Sequence, residues 1–141
     1  MLLAAGAVAA DETTVAGMVK TVRGAVNIER AGNRLPAAVG TPLYAADRVR
    51  TGENGSIGIT LRDNTLLSAG PNASLSLDRF TFDQTTHSGS LIATVARGTL
   101  AVVTGKLARQ NPESVEFRTP TSVLGVRGTE FAVEVSGGEG E

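Results

Sequence analysis

One histidine, no cysteine and fourteen acidic side chains are the groups this 141-residue chain offers for covalent or metal chemistry. His87 lies in the run Thr85-Thr86-His87-Ser88. A hydroxyl beside an imidazole is the starting material of a base-activated nucleophile. In a polar loop with no orienting carboxylate next to it, this histidine reads instead as a solvated side chain. The lack of cysteine excludes disulfides, Cys-bound zinc and thiolate catalysis. A metal site would have to be built from carboxylates, which suit hard cations, and the acids follow no Asp-x-Asp-x-Asp calcium-loop pattern. Gly52-Glu-Asn-Gly55 lacks the Lys-Ser/Thr that completes a phosphate loop, and Gly125-Val-Arg-Gly128 leads into a strand instead of a helix. Glu116, Glu130 and Glu134 are carboxylates of the type that cleave glycosides in pairs. Their positions read as exposed strand sites, with Glu130 expected as a hydrogen-bonded partner. The expectation is a protein that is not an enzyme and has no cofactor and no metal.

Charge narrows the partners. Thirteen basic and fourteen acidic side chains give a net charge of −1, so there is no bulk attraction to a polyanion, and nucleic-acid binding is disfavoured. Arg48, Arg50 and Arg62 fall at strand-like spacing beside acids and read as a solvated face.

The elements that must position these groups are strands. Seventeen glycines, four Phe, one Tyr and no Trp leave a core of Val, Leu, Ile and Ala between frequent corners. Two-residue alternation runs through Val15–Val22, Ala25–Arg30, Ser56–Leu61 and Ala73–Leu77, and again at Phe80 and Phe82. Leu43–Thr51 reads as a segment with Leu43, Asp47, Val49 and Thr51 along it, and Arg34–Val39 as an extended path whose Pro36 marks an edge. Ser90–Ala96 and Thr99–Thr104 read as two strands joined at Arg97-Gly98. Turns are expected at Ala31–Arg34, Gly52–Gly55, Arg62–Thr65 and Gly70–Asn72, and a flexible loop at Asp83–Gly89. Lys106–Asn111 has room for one helical turn at most. The fold class is therefore all-β, a compact sandwich or roll or a short β-solenoid of many short strands, with essentially no helix.

The chain closes on Pro120-Thr-Ser-Val-Leu-Gly-Val-Arg-Gly-Thr-Glu-Phe-Ala-Val-Glu-Val135. Phe131, Val133 and Val135 should face one way and Ala132 and Glu134 the other. Gly125 and Gly128 are expected where the backbone turns sharply or passes another strand closely. Asp47, Arg127 and Glu130 border turns and apolar strands, so a buried member would need a partner. Arg127 is expected to bond Asp47 or Glu130 and fix the final corner.

Residues 1–10 are small and apolar, with Ala7-x-Ala9 and Val8-x-Ala10 fitting a signal-peptidase site, and read as the remnant of a secretory signal peptide. Residues 15–135 form the β domain, and 136–141 a flexible Gly/Glu tail. No stretch reaches the roughly 20 apolar residues that span a bilayer as a helix.

Several motifs carry a family resemblance. They are Gly24-x-Val26-x-Ile28, Gly40-Thr-Pro-Leu43, Asp47-Arg-Val-Arg-Thr51-Gly52, Leu61-Arg-Asp-Asn-Thr65, Leu75-x-Leu77, Gly98-Thr-Leu100, Thr119-Pro120 and Gly125-Val-Arg127-Gly128-Thr129-Glu130-Phe131. From Gly17 to Val135 the chain resembles FecR-type domains of the bacterial envelope. One departure is Ala46, where the family often has Gly. The resemblance implies an all-β periplasmic module, exported across the inner membrane, that binds an envelope protein partner in sensing, signalling or assembly. The alternative is a module that binds peptidoglycan or carbohydrate, for which Tyr44 is the available ring. The best-known relatives pass a siderophore-receptor signal to a sigma factor through an anti-sigma segment and a transmembrane helix. Neither segment is visible here, so sigma-factor control is not carried over. The partner and the oligomeric state are not legible.

Overall fold

The structure, a computed structural model, describes residues 15–126 and 128–135. The signal-peptide and tail readings at 1–10 and 136–141, and Arg127, lie outside the described residues. The regular structure of the described chain is nearly all strand: β1 Val15–Arg23, β2 Val26–Arg30, β3 Asn33–Pro36, β4 Pro42–Tyr44, β5 Arg48–Thr51, β6 Ser56–Leu61, β7 Leu66–Ala69, β8 Ser74–Phe82, β9 Gly89–Val103, β10 Val115–Arg118, β11 Val123–Gly125 and β12 Glu130–Val135. One short helix, α1 Lys106–Gln110, and a 3₁₀ turn at Pro112–Ser114 join β9 to β10. This is the expected all-β class, realised as a roll.

The strands form one continuous sheet that folds over on itself. Its first layer runs β4-β1-β6-β7-β9-β12, and its second β3-β2-β5-β8-β9-β10-β11. The fifteen-residue β9 belongs to both, pairing with β8 up to Arg97 and with β7 from Leu100. The expected break at Arg97-Gly98 is therefore a bend. Gly98 takes φ +91° and turns the strand between layers without ending it. The pairs β1/β2, β5/β6 and β7/β8 are bent in the same way, so four V-shaped arms stack side by side with their corners in a row. Period-two alternation places one side of every arm inside the V. Leu43, Ile59, Leu61 and Leu67 of the first layer meet Val49, Leu75 and Leu77 of the second around Asp47.

The row of corners is packed backbone against backbone. Gly52 N–H donates to Ala25 O at 2.9 Å, Asn72 N–H to Gly52 O at 3.0 Å, and Gly70 N–H to Thr99 O at 3.1 Å. A Cβ on Gly24 would lie 2.3 Å from Asn54 O, and Gly24 itself has φ +65°. Close approach, and not only turning, thus fixes glycine there. Thr51 joins two corners: its buried hydroxyl donates to Gly70 O at 2.6 Å and accepts Ala73 N–H at 2.8 Å. Thr51→Val keeps the shape and strands both backbone groups. It is expected to lower unfolding free energy by about 2 kcal/mol, measured by urea denaturation, whereas Thr51→Ser stays within about 1 kcal/mol of the parent.

The expected Leu43–Thr51 segment divides into β4 and β5, because the chain changes layers at Ala45–Asp47. Ala46 takes φ +77° to make that turn, a conformation in which a side chain is strained by about 1–2 kcal/mol. Restoring glycine with Ala46→Gly should raise stability by about 0.5–1 kcal/mol, seen as a melting point roughly 2–4 °C higher.

Candidate functional site: the terminal slot

Three groups of signature residues close the mouth of the V, opposite the corners. Asp47, only 2% exposed, receives the Arg30 guanidinium on both oxygens (Nε to Oδ1 2.9 Å, Nη2 to Oδ2 2.8 Å) and the Tyr44 N–H at 2.9 Å. Arg30 also donates to Pro42 O at 3.1 Å and lies 4.7 Å from the Tyr44 ring centre. The side-chain bond to Asp47 holds the Arg30 pKa above its ordinary value, against the opposing effect of burial. Among the described residues the partner of Asp47 is Arg30; the bond expected from Arg127 to Asp47 or Glu130 lies outside the described residues. Arg62 donates from Nε to Val15 O at 2.7 Å and reaches Phe82 O and the Phe80 ring, which ties the layers together. It is a clamp, not the free surface charge expected.

Asp63 belongs to the Leu61–Thr65 motif, where the sequence marks it only as part of a turn, yet it is fully buried. Its oxygens accept Thr65 N–H and Oγ1–H at 3.0 and 2.8 Å and the Leu107 N–H at 3.1 Å, anchoring α1 to the β6–β7 turn. Its type is the physical clue: a short Asp two residues before a Thr in a turn, able to bond its own backbone. Among the described residues no buried side-chain nitrogen or oxygen lacks a hydrogen-bond partner. The described bonds of Asp47, Arg62 and Asp63 all serve to join strands, turns and α1 to one another.

The remaining chemically suggestive residues disperse. His87 is half-buried and stacks on Phe82 at 5.8 Å, in a turn organised by Asp83. Asp83 Oδ1 accepts the N–H groups of Thr85 and Thr86, and these bonds, Thr86's first, hold its carboxyl below the usual carboxylate range. The loop expected to be flexible is thus internally bonded. Among the described residues no three His, Asp or Glu side chains are grouped so as to hold a metal ion, and no helix is long and apolar enough to cross a membrane.

The closing signature builds the last edge of the roll. Phe131 packs edge-on against Phe117 at 5.4 Å, and Val133 is buried, so β12 shows the expected facing. Gly128 turns at φ +79°, and Thr104 N–H donates to Thr129 O at 2.8 Å. Gly125 departs from expectation. It lies in β11 opposite Glu116, its φ is outside the left-handed region, and nothing lies within 4 Å of where its Cβ would be. Glu130 is exposed, with no side-chain hydrogen bond or ion pair among the described residues.

The edge itself is incomplete. β10 covers β9 from Leu91 to Thr94, in the one parallel pairing among the described strands, and β12 covers it from Gly98 to Val103. Val95, Ala96 and Arg97 are left uncovered on that side. Beyond this gap, among the described strands, β11 pairs only with β10, and β12 only with β9. Between them opens a slot of about 630 Å³. Ala96 lies along it, Val133, Glu134 and Val135 line one wall, and Pro120, Ser122 and Leu124 the other. Pro120 stands exposed in the β10–β11 turn, so this signature residue belongs to the slot and not to the core.

The chain is similar to the FecR protein family over residues 47–141. A search among curated proteins finds no match. A solved "Cell surface anchoring domain" is 24% identical, over 43% of this chain and 82% of that one, with a TM-score of 0.41. The family match begins at Asp47 and takes in Thr51 and its corner, the Asp63 turn and the whole terminal edge; on that extent, the chain belongs to the FecR protein family.

Proposed function

We propose that this protein is a non-catalytic periplasmic module that binds an envelope protein, in sensing, signalling or assembly, through its terminal slot. The observation that carries the reading is the pair of unfilled sheet edges, β11 and β12, facing each other across a gap in the pairing of β9. Unpaired N–H and C=O groups along an edge are a template for another strand. The burial and bonding of Asp47, Thr51 and Asp63 favour a scaffold over an active site. Family membership supports the envelope setting. The carbohydrate alternative draws no support from Tyr44, because that ring is half-buried with Arg30 over it.

A photo-crosslinking residue at Ser122, inside the slot, should yield a protein adduct in living cells. The same residue at Arg50 of β5, separated from β10 by β8 and β9 in the same layer, should not. Equal labelling from both positions, or none from Ser122, would count against the slot as the interaction site.

A further inference from the structure

The walls of the slot also define the kind of segment that fills it, an inference that rests on the reading just given. Along β12, Phe131, Val133 and Val135 turn inward while Glu130, Ala132 and Glu134 turn outward. Among the described residues Glu134 is the one charged residue lining the slot. Neither Glu130 nor Glu134 has an ion-pair partner among the described residues. The other wall offers Pro120 and Leu124 with the small hydroxyl residues Thr119, Thr121 and Ser122, and no cation among the described residues. A strand added to β12 would set alternate side chains against two different surfaces, because successive residues point to opposite faces. One set would meet Leu124, Val133 and Val135; the other would stand beside Glu130 and Glu134.

We propose that the slot takes an extended segment of a partner protein, about six residues long to match β12, in which apolar residues alternate with Lys or Arg. The apolar set fills the wall-lined interior. The cations neutralise two carboxylates that would otherwise repel an acidic strand. Backbone bonding to the edge supplies affinity, and the glutamates supply selection.

The test uses the full chain and two labelled eight-residue peptides, one alternating Val with Arg and one alternating Val with Glu, followed by fluorescence anisotropy. The Arg peptide should bind about tenfold more tightly than the Glu peptide, from two opposite-charge cross-strand pairs. Exchanging both charges, with Glu130→Lys and Glu134→Lys together, should reverse the preference. Ser122→Trp, an exposed change that obstructs the slot, should abolish binding of the Arg peptide at an unchanged melting point. Equal binding of both peptides, lost in Ser122→Trp, would overturn the charge rule and leave the slot reading standing. Binding that survives Ser122→Trp, or no binding at all, would overturn the inference, and the crosslinking experiment judges the broader reading separately. Self-association of the chain that Ser122→Trp removes would assign the slot to a second copy and also overturn it.

Discussion

Asp47→Ala is expected to lower the free energy of unfolding by about 2–4 kcal/mol, a large fraction of the stability of a domain this size. The carboxylate is 2% exposed and holds three donors at once: two from Arg30 and the N–H of Tyr44. Removing it leaves a guanidinium that is still 32% exposed and able to reach water, which places the loss at or below the usual range for breaking a buried pair. Arg30→Ala leaves the opposite problem, an enclosed carboxylate with one remaining donor, and should be at least as damaging. The two changes share one interaction. The double variant should therefore lose less than the sum of the singles, by about 1 kcal/mol or more, in urea denaturation monitored by circular dichroism. Strict additivity would show that Asp47 and Arg30 act independently and that the mouth of the roll is not closed by their pairing.

That pair also marks where sequence reasoning stops. Asp47 is legible as a residue that needs a partner, because an acid amid Leu43, Val49 and Thr51 is out of place in a core. Its partner is not. Arg30 ends an alternating strand seventeen residues earlier and looks like any solvated strand terminus. Strands are legible for a local reason: Ile57, Ile59 and Leu61 repeat every second residue, and the period is a property of the strand itself. Layering is not, because it depends on which corners stack on which, and those corners join residues far apart in sequence. Arg97-Gly98 has the composition of a strand end, yet β9 passes through it since the ladders on both sides remain paired. Gly125 misleads in the other direction, its neighbour Gly128 being the one that turns. The slot leaves the faintest trace. Pro120 and the strand after Gly128 are visible, but an unfilled edge is a relation between β9, β10 and β12 that no single window contains.

The corner row yields the second large expected effect and a way to isolate its cause. Gly98 and Gly40 share a positive φ, +91° and +94°. Their surroundings differ completely: a Cβ on Gly98 would stand 2.5 Å from Ala73 Cα and 2.6 Å from Ala73 Cβ, while one on Gly40 meets nothing within 4 Å. Gly40→Ala should therefore show backbone strain alone, about 1–3 kcal/mol. Gly98→Ala carries positive-φ strain as well and also forces apart the β7–β8 corner and β9, for a total loss of about 4 kcal/mol or more. Combining Gly98→Ala with Ala73→Gly relieves the clash with the Ala73 methyl group but leaves the clash with the backbone of residue 73, so only part of the loss should return. Equal losses for Gly40→Ala and Gly98→Ala would mean that the corners need glycine only for its torsion. A larger loss at Gly98 means that the arms are held by close approach. That bend adjoins Val95–Arg97, the stretch of β9 that β10 and β12 leave uncovered for the slot.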